Sequence, residues 1–531
     1  MRHAEEPTDD CETGQEREKV TDLAATADVP HLNAAQRWLA LGVLSLALAV
    51  IIMDMTILNV ALPHITAALG ATAVQQLWIV DVYALALAGL LVPMSTLADR
   101  YGRKRILLVG LLVFGGASLA VLGAVTTAHV IALRALLGAG GAMIIPMTLS
   151  MIRVIFTDSR QRAVALGLWA AVTSVAAALG PLVGGALLQY GPWQHAFLIN
   201  VPIMAIALIF GSILLPESSI PAPPRWDSLG MLASLVGMVA LVWAIKDFAA
   251  KGPADLVAWT VLGAALFALS WFARRCLIRP DPILELRLFG STAFTAGILT
   301  AFGAMYALGA LMLLIIQWLE LAEGLTPLQA GLALLPATIV MGVVSPLAPP
   351  LANRIGERVV LGGGLITAAL SFLVIFLAPS PLSYGWVAAA LCLLGVGVGT
   401  VAVASTIIMS EAPLASIGSA AALEEISYEL GSVLGVAVLG SVASAMYRSH
   451  LDGSALAGLS PTQAQAARES ISGAMQVVAS TGSSRLILGA SKAFTNSLTQ
   501  TSLIGLLTVT AIAAAVILLM PRHYKLHKKD A

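Results

Sequence analysis

Long apolar stretches recur along most of the chain. Fourteen of them reach the length of about 20 residues that a helix needs to cross the hydrocarbon core of a bilayer. They cover approximately residues 38–62, 77–97, 106–124, 128–150, 164–188, 198–215, 229–246, 257–273, 292–316, 328–351, 359–378, 386–409, 417–446 and 500–520. The pattern predicts an all-α integral membrane protein with 14 transmembrane helices.

An internal repeat divides these spans into two halves. Residues 95–102 resemble residues 349–356, at an offset of 254, and share Leu, Ala, Arg and Gly at matching positions. The same offset carries spans 1 and 2 onto spans 9 and 10. We therefore expect two six-helix halves, with spans 7 and 8 inserted between them. Parallel halves of this kind are typical of transporters that bind their substrate near the middle of the membrane.

The spans define the expected organisation of the chain. It comprises an acidic cytoplasmic tail (1–37), an N-terminal six-helix bundle (38–216), a linker with the inserted spans 7 and 8 (217–290), a C-terminal six-helix bundle (291–520) that includes a long extracellular loop (447–499), and a basic cytoplasmic tail (521–531). Within the loop, residues 461–478 predict one helix and residues 484–498 a second. Two interpretations of the loop stay open, a solvated helical hairpin and a lid over an outer vestibule.

The composition excludes the soluble classes of protein. Hydrophobic residues make up 58% of the chain and charged residues 11%, whereas soluble domains contain about 25% charged residues. Three widely spaced cysteines exclude a disulfide framework. No Gly-Lys dipeptide occurs, which excludes a P-loop ATPase. We expect no cofactor, no metal and no nucleic-acid partner, but a lipid bilayer around the chain.

The distribution of Lys and Arg predicts the orientation in the membrane. If the N-terminus is cytoplasmic, the cytoplasmic loops and C-terminal tail contain 18 basic residues, and the short outer loops contain only Lys246 and Lys251. Basic residues concentrate on the cytoplasmic side of membrane proteins. Both termini are therefore expected in the cytoplasm. Residues 1–36 contain nine acidic and three basic residues and are interpreted as a solvated tail.

Few ionisable side chains fall inside the predicted spans. A charge in mid-bilayer costs about 2.5–3.5 kcal/mol on insertion scales, so each such residue is a candidate for function. They are Asp54, Asp81, Arg134, Glu424 and Glu425, with Glu429 as a secondary candidate. At 1.5 Å per residue, Asp54, Arg134 and Asp81 lie about 12, 9 and 6 Å below the outer surface. These three can interact if their helices face one cavity.

The two adjacent glutamates of span 13 lie about 10 Å from its cytoplasmic end. Helical periodicity places four residues on one face: Glu424, Tyr428, Gly431 and Gly435. The glycines allow a neighbouring helix to approach. Glu425 and Glu429 lie on an adjacent face, about 100° away. The sequence leaves open which glutamate reaches the cavity.

Several motifs resemble those of one transporter family. The turn after span 2 contains Asp99, Arg100, Gly102 and Arg103, and span 5 contains Gly180, Pro181, Gly184 and Gly185. The first set resembles a signature of the major facilitator superfamily, and the second resembles the motif of its proton-driven drug antiporters. Residues 53–63, 78–83, 193–202 and 424–431 are similar to the fourteen-spanner branch that exports quaternary ammonium compounds and ethidium.

The resemblance implies a proton-driven exporter of lipophilic cations in the cytoplasmic membrane, acting by alternating access as a monomer. Arg134 matches a span-4 arginine that this family links to proton coupling. The Asp99 motif implies a latch that forms in one access state, and Gly180-Pro181 implies a bend in span 5. Replacing Asp54 by Asn is expected to abolish transport without reducing expression.

Two other functions remain as alternatives. The same fold can export an uncharged antibiotic, lipid or metabolite, although such a pump has less need of acids in its spans. A polytopic membrane enzyme or receptor is the more distant alternative. An enzyme needs a convergent catalytic cluster at one membrane face, and the eight histidines are scattered over the tails and loops.

Overall fold

A computed structural model describes residues 32–71, 73–218, 227–251, 255–413 and 416–521. Most of the acidic tail and nearly all of the basic tail lie outside these residues. The principal helices are α1 (Ala34–Leu69), α2 (Ala73–Tyr101), α3 (Arg103–Ala120), α4 (Thr127–Ile155), α5 (Ser159–Tyr190), α6 (Asn200–Leu214), α7 (Ser228–Lys251), α8 (Leu256–Ile278), α9 (Thr292–Gln317), α10 (Leu335–Ile355), α11 (Glu357–Phe376), α12 (Tyr384–Gly399), α13 (Val401–Glu411), α14 (Ile417–His450), α15 (Pro461–Glu469), α16 (Ile471–Thr481) and α17 (Ser484–Leu519).

The described residues contain 13 helical segments that are long and apolar enough to cross a membrane, with α12 and α13 together forming one of them. The predicted all-α class is therefore confirmed. The predicted span 164–188 lies within α5, a helix of 32 residues that is not among the 13. The total of 14 spans stays a prediction.

The internal repeat is visible in the backbone. A single glycine joins α2 to α3, and another joins α10 to α11, at the offset that the sequence repeat predicts. Gly102 has φ +107° and Gly356 has φ +96°. Only glycine adopts this conformation without strain. The two turns thus make the same abrupt change of direction in each half of the chain.

The helices form two bundles, each around its own apolar core. One core draws mainly on α1–α6, and the other draws mainly on α9–α17. The bundles meet where α5 packs against α10 and α2 packs against α14. Helix α7 contacts both α2 and α14, while α8 packs mainly against α7. Helix α7 therefore lies beside the junction between the bundles.

The segment 447–499 differs from its prediction in two respects. The helix expected at 461–478 is divided into α15 and α16, because Ser470 adopts an extended conformation (φ −161°, ψ 160°) and caps α16 with its side chain. The separate helix expected at 484–498 is instead the first part of α17, which continues to Leu519. Ser497, inside that helix, donates a hydrogen bond to the Ala443 carbonyl of α14 at 2.5 Å. This contact satisfies the hydroxyl of a buried serine and ties α17 to α14.

Candidate functional site

A buried ion pair lies inside the first bundle. Arg134 of α4 donates a hydrogen bond from Nη1 to Asp54 Oδ2 of α1 at 2.7 Å. The second carboxylate oxygen accepts a hydrogen bond at 2.8 Å from Asn200 of α6. Asp54 and Arg134 are 1% and 2% exposed. Both oxygens of this carboxylate are therefore satisfied, and its charge is neutralised within one bundle.

Helix α2 completes the surroundings of this pair. Arg134 donates from Nε to the Ile79 carbonyl at 3.2 Å, and its guanidinium carbon lies 4.4 Å from the centre of the Tyr83 ring. The Tyr83 hydroxyl is buried and has no hydrogen-bond partner in the described part of the chain. A buried hydroxyl without a partner is costly. Tyr83 therefore has an unused donor next to the Asp54–Arg134 pair.

Asp81 does not join Asp54 and Arg134. It forms an ion pair with Lys246 of α7 instead. Lys246 was expected in a short outer loop, but it lies inside α7, which extends to Lys251. The side chains of Asp81 and Lys246 are 27% and 31% exposed. This second pair is therefore far more open than the first.

Glu424 faces the interior of the second bundle. Its Oε1 accepts a hydrogen bond at 2.5 Å from Tyr428, one helical turn later, while Oε2 is buried without a partner among the described residues. On the same face, a Cβ at Gly431 or Gly435 would lie 2.4 or 2.3 Å from a backbone oxygen of α9. Helix α9 is thus the close neighbour that the glycine spacing predicts.

Glu425 faces the opposite bundle. It is 6% exposed, and the described part of the chain gives it neither an ion pair nor a hydrogen bond. Glu425 and Glu429 both lie within electrostatic range of Tyr83 on α2. The positive charge of Lys246 lies within electrostatic range of Glu429. These two acids therefore lie at the junction between the bundles, on the side of α14 that meets α2 and α7.

The site combines compensated and uncompensated charges. Asp54 and Asp81 each have a basic partner, whereas neither Glu424 nor Glu425 forms an ion pair in the described part of the chain. A carboxylate buried without a cation is stabilised by taking up a proton or by binding a cationic ligand. The arrangement can therefore exchange one positive charge for another. No group of His, Cys, Asp or Glu side chains suited to a metal ion occurs in the described ranges.

A second polar contact joins the bundles at the end of α2. Arg103 donates to Asp99 Oδ1 at 3.0 Å. A Cβ at Gly418 would lie 2.6 Å from Asp99 Oδ2, so this carboxylate rests against the first turn of α14. Ser95 donates to the Gly418 carbonyl at 2.9 Å. An acid at a helix N-terminus is favoured by the helix dipole, and α2 and α14 are held together here.

The Asp99 motif and the Gly180-Pro181 motif also contain residues outside these contacts. Arg100 is exposed, as is Asn353 at the repeat-related position of Asp99. Helix α5 continues through Gly180-Pro181 to Tyr190. A Cβ at Gly180 would lie 1.9 Å from Thr56 Oγ1, so the backbone of α5 approaches α1 next to Asp54. Gly184 approaches Ile57 of α1, but a Cβ at Gly185 would meet no atom within 4 Å.

Sequence reasoning missed two polar residues of this site. Asn200 lies in a motif that marked the family resemblance, but it carries no charge and so was not selected as ionisable. Lys246 stands at the end of an apolar run, where a lysine is typical of an interface. Its pairing with Asp81 follows from the packing of α7 against α2, which the sequence pattern of α7 does not specify.

Comparison with known proteins identifies the family. The family model of the Major Facilitator Superfamily matches residues 44–436. The chain is 39% identical to the multidrug efflux pump LfrA of Mycolicibacterium smegmatis, over 90% of this chain and 95% of that protein. It is 36% identical to the methyl viologen resistance protein SmvA of Salmonella typhimurium, over 78% and 84% of the two chains.

The fold is also found among solved structures. The crystal structure of the human organic anion transporter MFSD10 superposes with a TM-score of 0.57, covering 90% of this chain and 100% of that chain at 13% identity. At this identity the likeness concerns the fold alone. The family match and the efflux-pump relatives point to a transporter rather than an enzyme. The chain belongs to the major facilitator superfamily, in its group of multidrug efflux transporters.

Proposed function

We propose that this transporter exports lipophilic and quaternary ammonium cations in exchange for protons. It crosses the cytoplasmic membrane 14 times, with both termini in the cytoplasm and α7 and α8 as helices inserted between two six-helix halves. The proton gradient drives it, no cofactor takes part, and one chain is the working unit. The substrates are small cationic drugs of the class that includes ethidium.

The observation that carries this proposal is the environment of Glu425. Its carboxyl group is buried at the junction between the bundles and has no hydrogen bond or ion pair in the described part of the chain. An uncompensated charge in a span costs about 2.5–3.5 kcal/mol. A proton or a substrate cation removes this cost, and the two compete because either one neutralises the group. That competition is the physical basis of exchange.

The transport cycle uses two features of the junction between the bundles: the buried acid Glu425 and the contact of Asp99 with α14. A cation from the cytoplasm or inner leaflet displaces the proton of Glu425, and the bundles rock about the junction. The contact of Asp99 with α14 then closes the cytoplasmic end. Protons from outside reload the acids and release the cation. Exchange of one proton for one monovalent cation moves no net charge, so the pH gradient alone drives it.

Ethidium efflux from energised cells tests the proposal. Cells that express the protein are expected to export ethidium, and collapse of the pH gradient by an electroneutral proton–potassium exchanger is expected to stop export. Glu425→Gln is expected to abolish export at unchanged expression. Export that persists without a pH gradient would contradict proton exchange. Absence of ethidium export, with export of an uncharged antibiotic, would favour the alternative substrate class.

A further inference from the structure

We propose that Lys246 of α7 is a tethered cation that occupies the acidic side of the junction between the bundles until a substrate cation displaces it. By this role Lys246 favours monovalent over divalent substrates. The inference rests on the proposed function, because it concerns the same exchange of charges. It assigns to α7 a part in substrate selection.

The position of Lys246 supports this role. Its ammonium group pairs with Asp81 of the first bundle and lies within electrostatic range of Glu429 of the second. The Lys246 side chain remains 31% exposed, so it is not enclosed by protein. A ligand can therefore reach the same acids that Lys246 now faces.

Attachment of α7 does not explain the lysine. An apolar cluster already joins α7 to α2 through Leu85, Ala88, Met238 and Val242. A partly exposed ion pair contributes only about 0–1 kcal/mol to stability, while a lysine in a span costs about 2.5–3.5 kcal/mol. The Asp54–Arg134 pair, in contrast, is buried and both of its carboxylate oxygens accept hydrogen bonds.

Charge determines the expected selectivity. Lys246 reduces the negative charge of the two acids that it faces, Asp81 and Glu429, by one unit. A bound cation is repelled by the ammonium, and a dication is repelled twice as strongly because the Coulomb energy is proportional to its charge. Trp243 lies one turn earlier on the same face of α7 and packs against the apolar cluster that joins α7 to α2. Its ring can contact the planar aromatic part of a substrate.

Dye binding to the purified protein tests the inference. Ethidium and propidium share one ring system but carry one and two positive charges. Lys246→Gln is expected to tighten ethidium binding about threefold and propidium binding about tenfold, because the second factor is the square of the first. Arg274→Gln, the same charge change at an exposed position of α8, is the matched control and is expected to change neither affinity.

A second variant separates the electrostatic role from a structural one. Asp81→Asn with Lys246→Gln removes both charges and is expected to return the ratio of the two affinities to the wild-type value. If Lys246→Gln weakens the binding of both dyes equally and lowers the melting temperature, the Asp81–Lys246 pair has a structural role and the inference is overturned. If the wild type binds neither dye, the proposed function itself fails. If it binds both and Lys246→Gln changes neither affinity, only the inference fails.

Discussion

The ion pairs of the two aspartates in the first bundle differ in burial. Asp54 is enclosed with Arg134 and bonded at both oxygens. Asp81 shares an open pair with a lysine from another helix. Removing one member of a buried pair leaves the other charge uncompensated, which is more damaging than removing both. This distinction changes what an aspartate substitution is expected to do at each position.

Asp54→Asn is therefore expected to destabilise the protein as well as abolish transport. The buried guanidinium of Arg134 loses its counter-ion, at a cost of about 3–5 kcal/mol. The sequence alone led to the expectation that expression would be preserved, because it did not show this pairing. Thermal unfolding in detergent measures the effect. Asp54→Asn combined with Arg134→Gln should recover much of the loss, and an unchanged melting temperature for Asp54→Asn would disprove the structural role.

The candidate site was only partly predictable from its residues. Asp54, Arg134 and the acids of α14 stand out because charges are rare in apolar helices. Their partners do not stand out in the same way. Tyr83 and Asn200 are uncharged, and whether Glu424 or Glu425 faces the junction depends on the rotation of α14 about its axis. The sequence places the two glutamates about 100° apart but does not determine which direction points to α2.

Helices α2 and α14 meet at the contact between Asp99 and the first turn of α14. Because this contact lies about two turns of α14 from Glu425 and does not include it, Asp99→Asn is expected to change the balance between access states and leave the binding acids intact. Turnover of ethidium should fall severalfold, while its dissociation constant should stay within about twofold. Transport and binding assays on the same preparation separate the two effects. A large loss of binding with normal turnover would disprove the latch.

The start of α7 and the end of α8 are joined by a clamp, formed by Asp227, the residue before α7, and Arg275 in the last turn of α8. Arg275 donates two hydrogen bonds to Asp227, at 2.6 and 2.9 Å. These bonds lower the pKa of Asp227 from its ordinary value of 3.8. A lowered pKa in the folded state means that the stabilisation is present above pH 3.8 and is lost as the pH falls through the folded value.

Asp227→Asn is accordingly expected to lower the melting temperature near neutral pH and to make less difference in acid. Thermal unfolding of wild type and variant between about pH 7 and about pH 3 measures this convergence. Glu217→Gln, at a more exposed acid paired with Arg105, serves as the control and should have little effect at either pH. A difference between wild type and Asp227→Asn that is independent of pH would contradict the clamp.

The internal repeat predicted the architecture of the whole molecule better than the pattern of any single helix did. The offset between residues 95–102 and 349–356 predicted two related halves, and Gly102 and Gly356 adopt similar conformations with positive φ. The segment 447–499 was predicted less well, because no repeat constrains it and its polar residues are satisfied by packing. The contacts between the bundles could not be predicted from the sequence either, since apolar faces alone do not specify which helices meet.

In the proposed mechanism, one buried acid at the junction of the bundles binds either a proton or a substrate cation. Proton release on ethidium binding measures this competition, with the purified protein in weakly buffered detergent solution and a pH indicator. Wild type is expected to release about one proton per ethidium bound. Glu425→Gln should bind ethidium more weakly and release none, while Glu424→Gln, the same change on the adjacent face, should still release protons. Ethidium binding to wild type without proton release, or undiminished release by Glu425→Gln, would contradict the account.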